Sequence, residues 1–308
     1  MSEKFEHKKS LGQHFLNSDY VPHKMCDAAN LQRGDIVLEV GPGTGALTRE
    51  ILNRGAMVIA LEADLRAIES LHETFAAEVA SGTLKIFHHD VRDLDPSEFG
   101  VTAGEYKVVA NIPYYISGLL FRTFLESTCQ PNTLVFLVQK EVAARIVKDK
   151  KESLLSLSVK VFGDPTYIFT VARSHFTPPP HVDSAIIAVD NISTIRLGEL
   201  NVKDFFILLH LGFGQKRKQL IGNLAHTAPR EALEKVFISL GLSLTVRAED
   251  IDVSTWILLA THLLSPDFPH NHSTTSSYTQ LIYRVHKTLS PPLCVNKASF
   301  LDTPRYTT

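Results

Sequence analysis

The sequence predicts an α/β fold, a parallel sheet flanked by helices, followed by a small helical domain. Three observations predict it. Short β-branched runs alternate with amphipathic stretches from Ile36 onward, the first run leads straight into a glycine loop, and the strand pattern stops at Asp190. A strand covered on both faces is apolar throughout, whereas a covering helix is apolar along one stripe, so this alternation reads as successive βα units. The organisation that follows is a sheet domain over residues 1–190, a helical domain over 191–267, and a disordered tail over 268–308. The tail is assigned because that stretch is poor in acids and rich in Ser, Thr and Pro.

In chain order, strands are expected at 36–40, 57–61, 84–87, 106–110, 134–138, 167–171 and 185–189, each a short run rich in Val, Ile, Leu or aromatic residues. Helical spacing marks 46–53, which Gly55 stops, then 64–80 and 119–127. Beyond the last strand it marks 202–213, 216–225, 230–240 and 253–264. No internal repeat is present.

Composition narrows the function classes. A chain of 308 residues with 44% hydrophobic and 21% charged residues carries enough apolar matter for a large core, which excludes a wholly disordered or coiled-coil protein. Cys26, Cys129 and Cys294 lie far apart with no CxxC pair, so neither a disulfide framework nor a metal cluster is expected, and a reducing cytoplasm fits. The N-terminus MSEKFEHKKS has charges where an export signal needs an apolar stretch, and no apolar run is long enough to span a bilayer. The net charge of −2 does not point to nucleic acid. Basic residues cluster only locally, at Lys8 and Lys9, from Lys140 to Lys151, and at Lys216, Arg217 and Lys218. Such clusters are ordinarily solvated helix faces.

The first strand ends in Glu39-Val40-Gly41-Pro42-Gly43-Thr44-Gly45-Ala46. Glycine is needed there because the backbone turns tightly and approaches a ligand with no Cβ in the way. The loop alone does not select the ligand, since Gly41-x-Gly43-x-x-Ala46 also satisfies the dinucleotide fingerprint and an NAD enzyme stays open at this point. Glu62 follows the second strand, where a carboxylate can accept both hydroxyls of a ribose, a group that NAD and S-adenosylmethionine share. Asp90 follows the third, where it can accept from an adenine amino group.

The fourth strand separates the two. It runs into Asn111-Ile112-Pro113-Tyr114. A purine exocyclic amine is a poor nucleophile because its lone pair is delocalised into the ring. A site that methylates it must hold the nitrogen in line with the methyl group and accept its two N–H bonds. Asn111 offers a side-chain carbonyl, the backbone at or before Pro113 offers another, and Tyr114 offers a face on which a displaced base can stack.

With Gly41 to Thr44, Glu62, Asp90 and Asn111 to Tyr114 in this order, the sequence resembles the KsgA-type small-subunit (16S) rRNA adenine N6,N6-dimethyltransferases, relatives of the Erm-type enzymes. The resemblance runs from Lys9 to Leu264. Residues 11–16 (LGQHFL) look like the family's N-terminal cofactor-binding motif, with His14 where Asn is common. Residues 174–184 (SHFTPPPHVDS) look like its last sheet motif, 212–220 like its RNA-contacting helix, and 247–250 (RAED) like a further C-terminal motif. The resemblance implies a Rossmann-like S-adenosylmethionine-dependent methyltransferase sheet with a small C-terminal helical domain. It implies cofactor contacts at His14, Leu16, Gly41, Gly43, Glu62, Asp90 and Asn111. Asn111, Pro113 and Tyr114 would hold the amine, Phe176 would form a second wall for the flipped adenine, and Lys216, Arg217 and Lys218 would contact RNA. Tyr115 stands where many relatives carry Asn. The implied activity is dimethylation of the N6 amines of two adjacent adenosines near the 3′ end of 16S rRNA during ribosome biogenesis, by a cytoplasmic monomer acting on the small subunit. The alternatives are an Erm-type enzyme acting on 23S rRNA and a ribosome-assembly binding factor whose chemistry is secondary.

Overall fold

The computed structural model describes residues 15–269. Nine apolar or β-branched runs form strands: β1 (Phe15–Leu16), β2 (Ile36–Val40), β3 (Met57–Glu62), β4 (Leu84–His88), β5 (Tyr106–Asn111), β6 (Thr133–Gln139), β7 (Asp164–Val171), β8 (Phe176–Thr177) and β9 (Ser184–Asp190). Seven of them make one sheet in the order β4-β3-β2-β5-β6-β9-β7, while β1 and β8 pair as a separate antiparallel ribbon. From β4 to β6 the pairing is parallel. The expected all-parallel sheet is corrected at one edge, where β9 runs antiparallel to both β6 and β7. The reason is the connection: β7 and β9 are joined by a loop that contains β8 and no crossover helix, and a parallel pair needs a crossover.

Helices α1 (Tyr20–Ala28), α2 (Ala46–Asn53), α3 (Leu65–Thr74), α4 (Ala76–Ser81), α5 (Ser117–Leu125), α6 (Lys140–Val147) and α7 (Leu154–Lys160) are interleaved with the strands. Among the described residues after β9 the regular elements are helices, α8 (Val202–Gly212), α9 (Leu220–Leu224), α10 (Arg230–Ser239) and α11 (Val253–Leu263), with short 3-10 turns. Two expected helices are altered. The stretch 64–80 breaks at Phe75, whose backbone leaves helical geometry (φ −117°, ψ 35°) as its ring turns into the core against the glycine loop. The stretch 216–225 shortens to α9, because 213–219 is an irregular turn held by the buried Asn223 amide, which donates to Gly212 O at 2.6 Å and Gln215 O at 3.2 Å. Lys216, Arg217 and Lys218 therefore stand exposed on a turn, not on the expected RNA-contacting helix.

Alternate strand residues serve opposite faces of the sheet. Val37, Val58, Val109 and Val135 pack with Val21, Met25 and Ile51 on one side; Leu38, Ile59, Val108 and Phe136 pack with Phe121 on the other. The second cluster continues into Phe205, Leu209 and Trp256 of the helices beyond Asp190, so the change of secondary structure at 191 is not a break in the core. The RAED segment reinforces that junction: Lys151 pairs with Glu249 and Asp250, Glu152 N–H donates to Glu249 O, and the Trp256 indole donates to Ala248 O. No helix among the described residues is long and apolar enough to cross a membrane. His14 and residues 270–308 lie outside the described residues.

Candidate active site

β2 is flanked by β3 on one side and β5 on the other, so the chain winds outward in both directions from the gap between β2 and β5. At such a switch point the loops diverge at the C-terminal strand ends and leave a crevice. A cleft of about 370 Å³ lies there, within the size range of small-molecule sites. Its wall takes residues from the ends of β2, β3, β4 and β5 and from the β1 segment. Leu16, Gly41, Gly43, Glu62, Asp90, Asn111, Pro113 and Tyr114, dispersed over a hundred residues of sequence, all line it.

The glycine loop is built around backbone geometry that other residues resist. Gly41, Gly43 and Gly45 have φ of 67°, 54° and 78°. A Cβ at Gly43 would come within 2.8 Å of the Phe15 ring, and one at Gly45 within 2.5 Å of Phe75, so these two glycines admit side chains that seal the loop from behind. At Gly41 a Cβ would meet no protein atom within 4 Å, and the residue lines the cleft. That is the cradle a small ligand needs.

Glu62 holds the loop in place. Its buried carboxylate accepts from Gly43 N at 3.1 Å, Ala63 N at 2.8 Å and Asp64 N at 3.0 Å. A carboxylate has about four lone-pair positions, so one remains on Glu62 for a ligand hydroxyl. Asp90 caps the turn after β4 and is gripped by Arg92, whose backbone N–H and Nε donate to it at 3.0 Å while Nη2 forms an ion pair. That guanidinium holds the Asp90 carboxyl down at about 2, so an amino group arriving there meets a full charge shared with Arg92.

Glu39 is an acid that motif and position alone do not assign. It lies on β2 at 1% exposure, lines the cleft, and accepts from the Thr48 hydroxyl at 2.7 Å. Burial, aided by the nearby charge of Glu62 and opposed by the Thr48 bond, pushes its carboxyl up to about 8. A signal for it exists in the sequence: a carboxylate inside the apolar run Ile36–Val40 is expensive to bury unless the site uses it.

At the end of β5, Pro113 turns the chain out of the sheet and a 3-10 turn, Tyr114–Ile116, follows. Pro113 O accepts Ile116 N at 3.1 Å, which leaves the carbonyl's second lone pair. The Tyr114 hydroxyl meets Ser184 Oγ at 2.6 Å, and this contact with a fully buried serine of β9 fixes the ring at the cleft wall. Nothing in the sequence marks Ser184 for this role, because only the fold brings β9 beside β5's exit loop. Phe176 is placed elsewhere than expected. It is 2% exposed, pairs with Leu16 across the β1–β8 ribbon, packs in the core with Val21 and Met25, and is not part of the cleft wall; Phe15, which pairs with Thr177 on the same ribbon, is.

The family described as Ribosomal RNA adenine dimethylase matches residues 4–263. The chain belongs to the ribosomal RNA adenine dimethylase family. Among its relatives, the Ribosomal RNA small subunit methyltransferase A of Dehalococcoides mccartyi (strain CBDB1) is 39% identical over 252 residues, covering 81% of this chain and 86% of that one. The protein of the same name from Crocosphaera subtropica is 34% identical over 267 residues, 83% of this chain and 97% of that one. The crystal structure of a dimethyladenosine transferase from Plasmodium falciparum covers 80% of this chain and 96% of its own at 27% identity with a TM-score of 0.67. The 23S rRNA methyltransferase ErmE shares the fold, with a TM-score of 0.65 at 23% identity over 82% of this chain and 100% of its own. As a ribosomal RNA adenine dimethylase, the chain is a methyltransferase that uses S-adenosylmethionine as its methyl donor. The residues present suit that cofactor's chemistry: the backbone at Gly41 is open to close approach, Glu62 keeps an acceptor position suited to a ribose hydroxyl, and the charged Asp90 is an acceptor suited to an adenine amine.

Proposed function

We propose that this dimethylase modifies the N6 amines of two adjacent adenosines near the 3′ end of 16S rRNA in the small ribosomal subunit, during ribosome biogenesis, as a cytoplasmic monomer. The observation that carries the reading is the meeting of Asn111, Pro113 and Tyr114 with the glycine loop, Glu62 and Asp90 on one cleft. The choice of subunit is supported by relatives named for the small subunit, which align over more than four-fifths of this chain.

S-adenosylmethionine, when bound, supplies an electrophilic methyl group on a sulfonium. Leu16, Gly41, Gly43, Glu62 and Asp90 would hold that cofactor, with Glu62 accepting from the ribose and Asp90 from the adenine amine; a cofactor role for His14 rests on the motif resemblance alone. Asn111 Oδ1 and a backbone carbonyl of the Ile112-Pro113 segment accept the two N–H bonds of the target amine. As the nitrogen turns tetrahedral its lone pair localises, and the two acceptors stabilise that geometry. Tyr114 stacks on the base, its ring held by Ser184. Lys216, Arg217 and Lys218 on their exposed turn contact rRNA phosphates.

The test is to incubate the chain with methyl-labelled cofactor and undermethylated small subunits, or in parallel large subunits, and map dimethyladenosine. Label in two adjacent adenosines of the small-subunit rRNA is expected. Label in the large subunit would move the enzyme to Erm-type chemistry, and particle binding without label would leave an assembly factor.

A further inference from the structure

We propose that Tyr115 is the stacking platform for the second adenosine of the pair while the first occupies the cleft, an inference that rests on the reaction proposed above. Tyr114 and Tyr115 are consecutive on one 3-10 turn, where successive side chains diverge by about 120°. Tyr114 turns inward to Ser184. Tyr115 turns outward: it lines the cleft yet is 70% exposed, more than any other aromatic side chain among the described residues. Arg92, from the turn after β4, lines the same cleft and is itself 72% exposed, so a cation and an open ring share one wall. An exposed ring beside an exposed guanidinium is how proteins hold single-stranded nucleic acid, the ring stacking a base and the cation meeting a phosphate. When one adenosine is drawn into the cleft, its neighbour loses a stacking partner and needs another π face. Two adjacent tyrosines, one facing in and one facing out, supply one face for each of two adjacent adenosines.

The test uses the full chain and its Tyr115→Ala and Tyr115→Phe variants. Their partners are undermethylated small subunits reassembled with a ligated 3′ segment, in which the neighbour of the target adenosine is either natural or abasic. With natural particles, Tyr115→Ala should bind about 5- to 150-fold more weakly, the loss falling in KM and not in the single-turnover rate at saturation, while Tyr115→Phe behaves as the parent. The abasic neighbour should weaken the parent but add nothing to the deficit of Tyr115→Ala. Unchanged affinity of Tyr115→Ala would overturn the proposal. So would an equal abasic penalty in both proteins, which would assign the ring to a ribosomal protein instead. Failure of the parent to dimethylate natural particles would sink the reaction itself, a different result from either.

Discussion

Replacing Glu39 with Gln should abolish a pH dependence that this single buried carboxyl imposes on the fold. In the unfolded chain Glu39 loses its proton near the ordinary 4.5, whereas in the folded protein it keeps it to about 8. Between those values the native state binds the extra proton, so stability from this group is fully present below the lower value and is lost as pH rises through the upper one. One proton corresponds to a slope on the order of 1 kcal/mol per pH unit, and a few kcal/mol across the window. Glutamine keeps the acceptor for Thr48 and cannot ionise. It leaves a buried amide N–H₂ to satisfy, which costs about 1–3 kcal/mol at every pH. Urea unfolding of parent and Glu39→Gln at half-unit steps from pH 5 to 8.5, without cofactor, measures the difference. The parent's advantage at pH 5 should shrink steadily and vanish or reverse by pH 8. Two parallel stability curves would refute the reasoning, because they would mean that Glu39 is ionised in the fold throughout.

Glu62→Ala should weaken cofactor binding about 10- to 150-fold by calorimetric titration, and should also lower stability by about 1–3 kcal/mol in urea, because three loop N–H groups lose their acceptor. Neutralising Lys216, Arg217 and Lys218 together should reduce particle affinity and lower the salt slope by about 0.7 to 0.9 for each phosphate no longer neutralised, with cofactor binding unchanged; equal slopes would return the turn to a merely solvated surface. Asn111→Ala should depress single-turnover methylation about 10²- to 10³-fold at saturating particle, whereas Tyr114→Ala should lose part of its effect as weaker particle binding, since stacking is worth about 1–3 kcal/mol before reaction begins.

The strands of the main sheet are legible because each is a short apolar run closed by a polar or glycine signal, as Ile36–Val40 is closed by Gly41. Helices α1, α6 and α7 are not. α1 carries Pro22 at its third position, tolerable only in a first turn, and α7 (LLSLSVK) is apolar with serines that read as loop, yet Ser153 and Ser156 cap its start reciprocally. The break at Phe75 is hidden for another reason. The helical pattern continues through it, and only the three-dimensional need to close the back of Gly45 pulls that ring inward. Site residues at strand ends can be read from motif and position, since the topology gathers strand ends. Contacts between motifs cannot: that Ser184 anchors Tyr114 and that Phe176 backs the β1–β8 ribbon instead of the cleft depend on rotamers and neighbours.

The cleft holds its charge by treating neighbouring acids differently. Glu62 has three N–H dipoles aimed at its carboxylate, and Asp90 has a guanidinium; Glu39, buried between strands, has only the hydroxyl and the backbone of Thr48 to support it. Three ionised carboxylates around a space of about 370 Å³ would repel one another strongly in a partly desolvated site. The structure avoids this by raising Glu39, the acid with the weakest support, and the Glu62 charge contributes to that rise. Entry of a cationic ligand reverses the balance, because a positive charge beside Glu39 favours its ionised form. Cofactor binding should therefore release protons near pH 7, and the release should disappear in Glu39→Gln. Calorimetry in two buffers of different ionisation enthalpy reads it directly. A buffer-independent binding enthalpy for the parent would show that Glu39 does not sense the cofactor's charge.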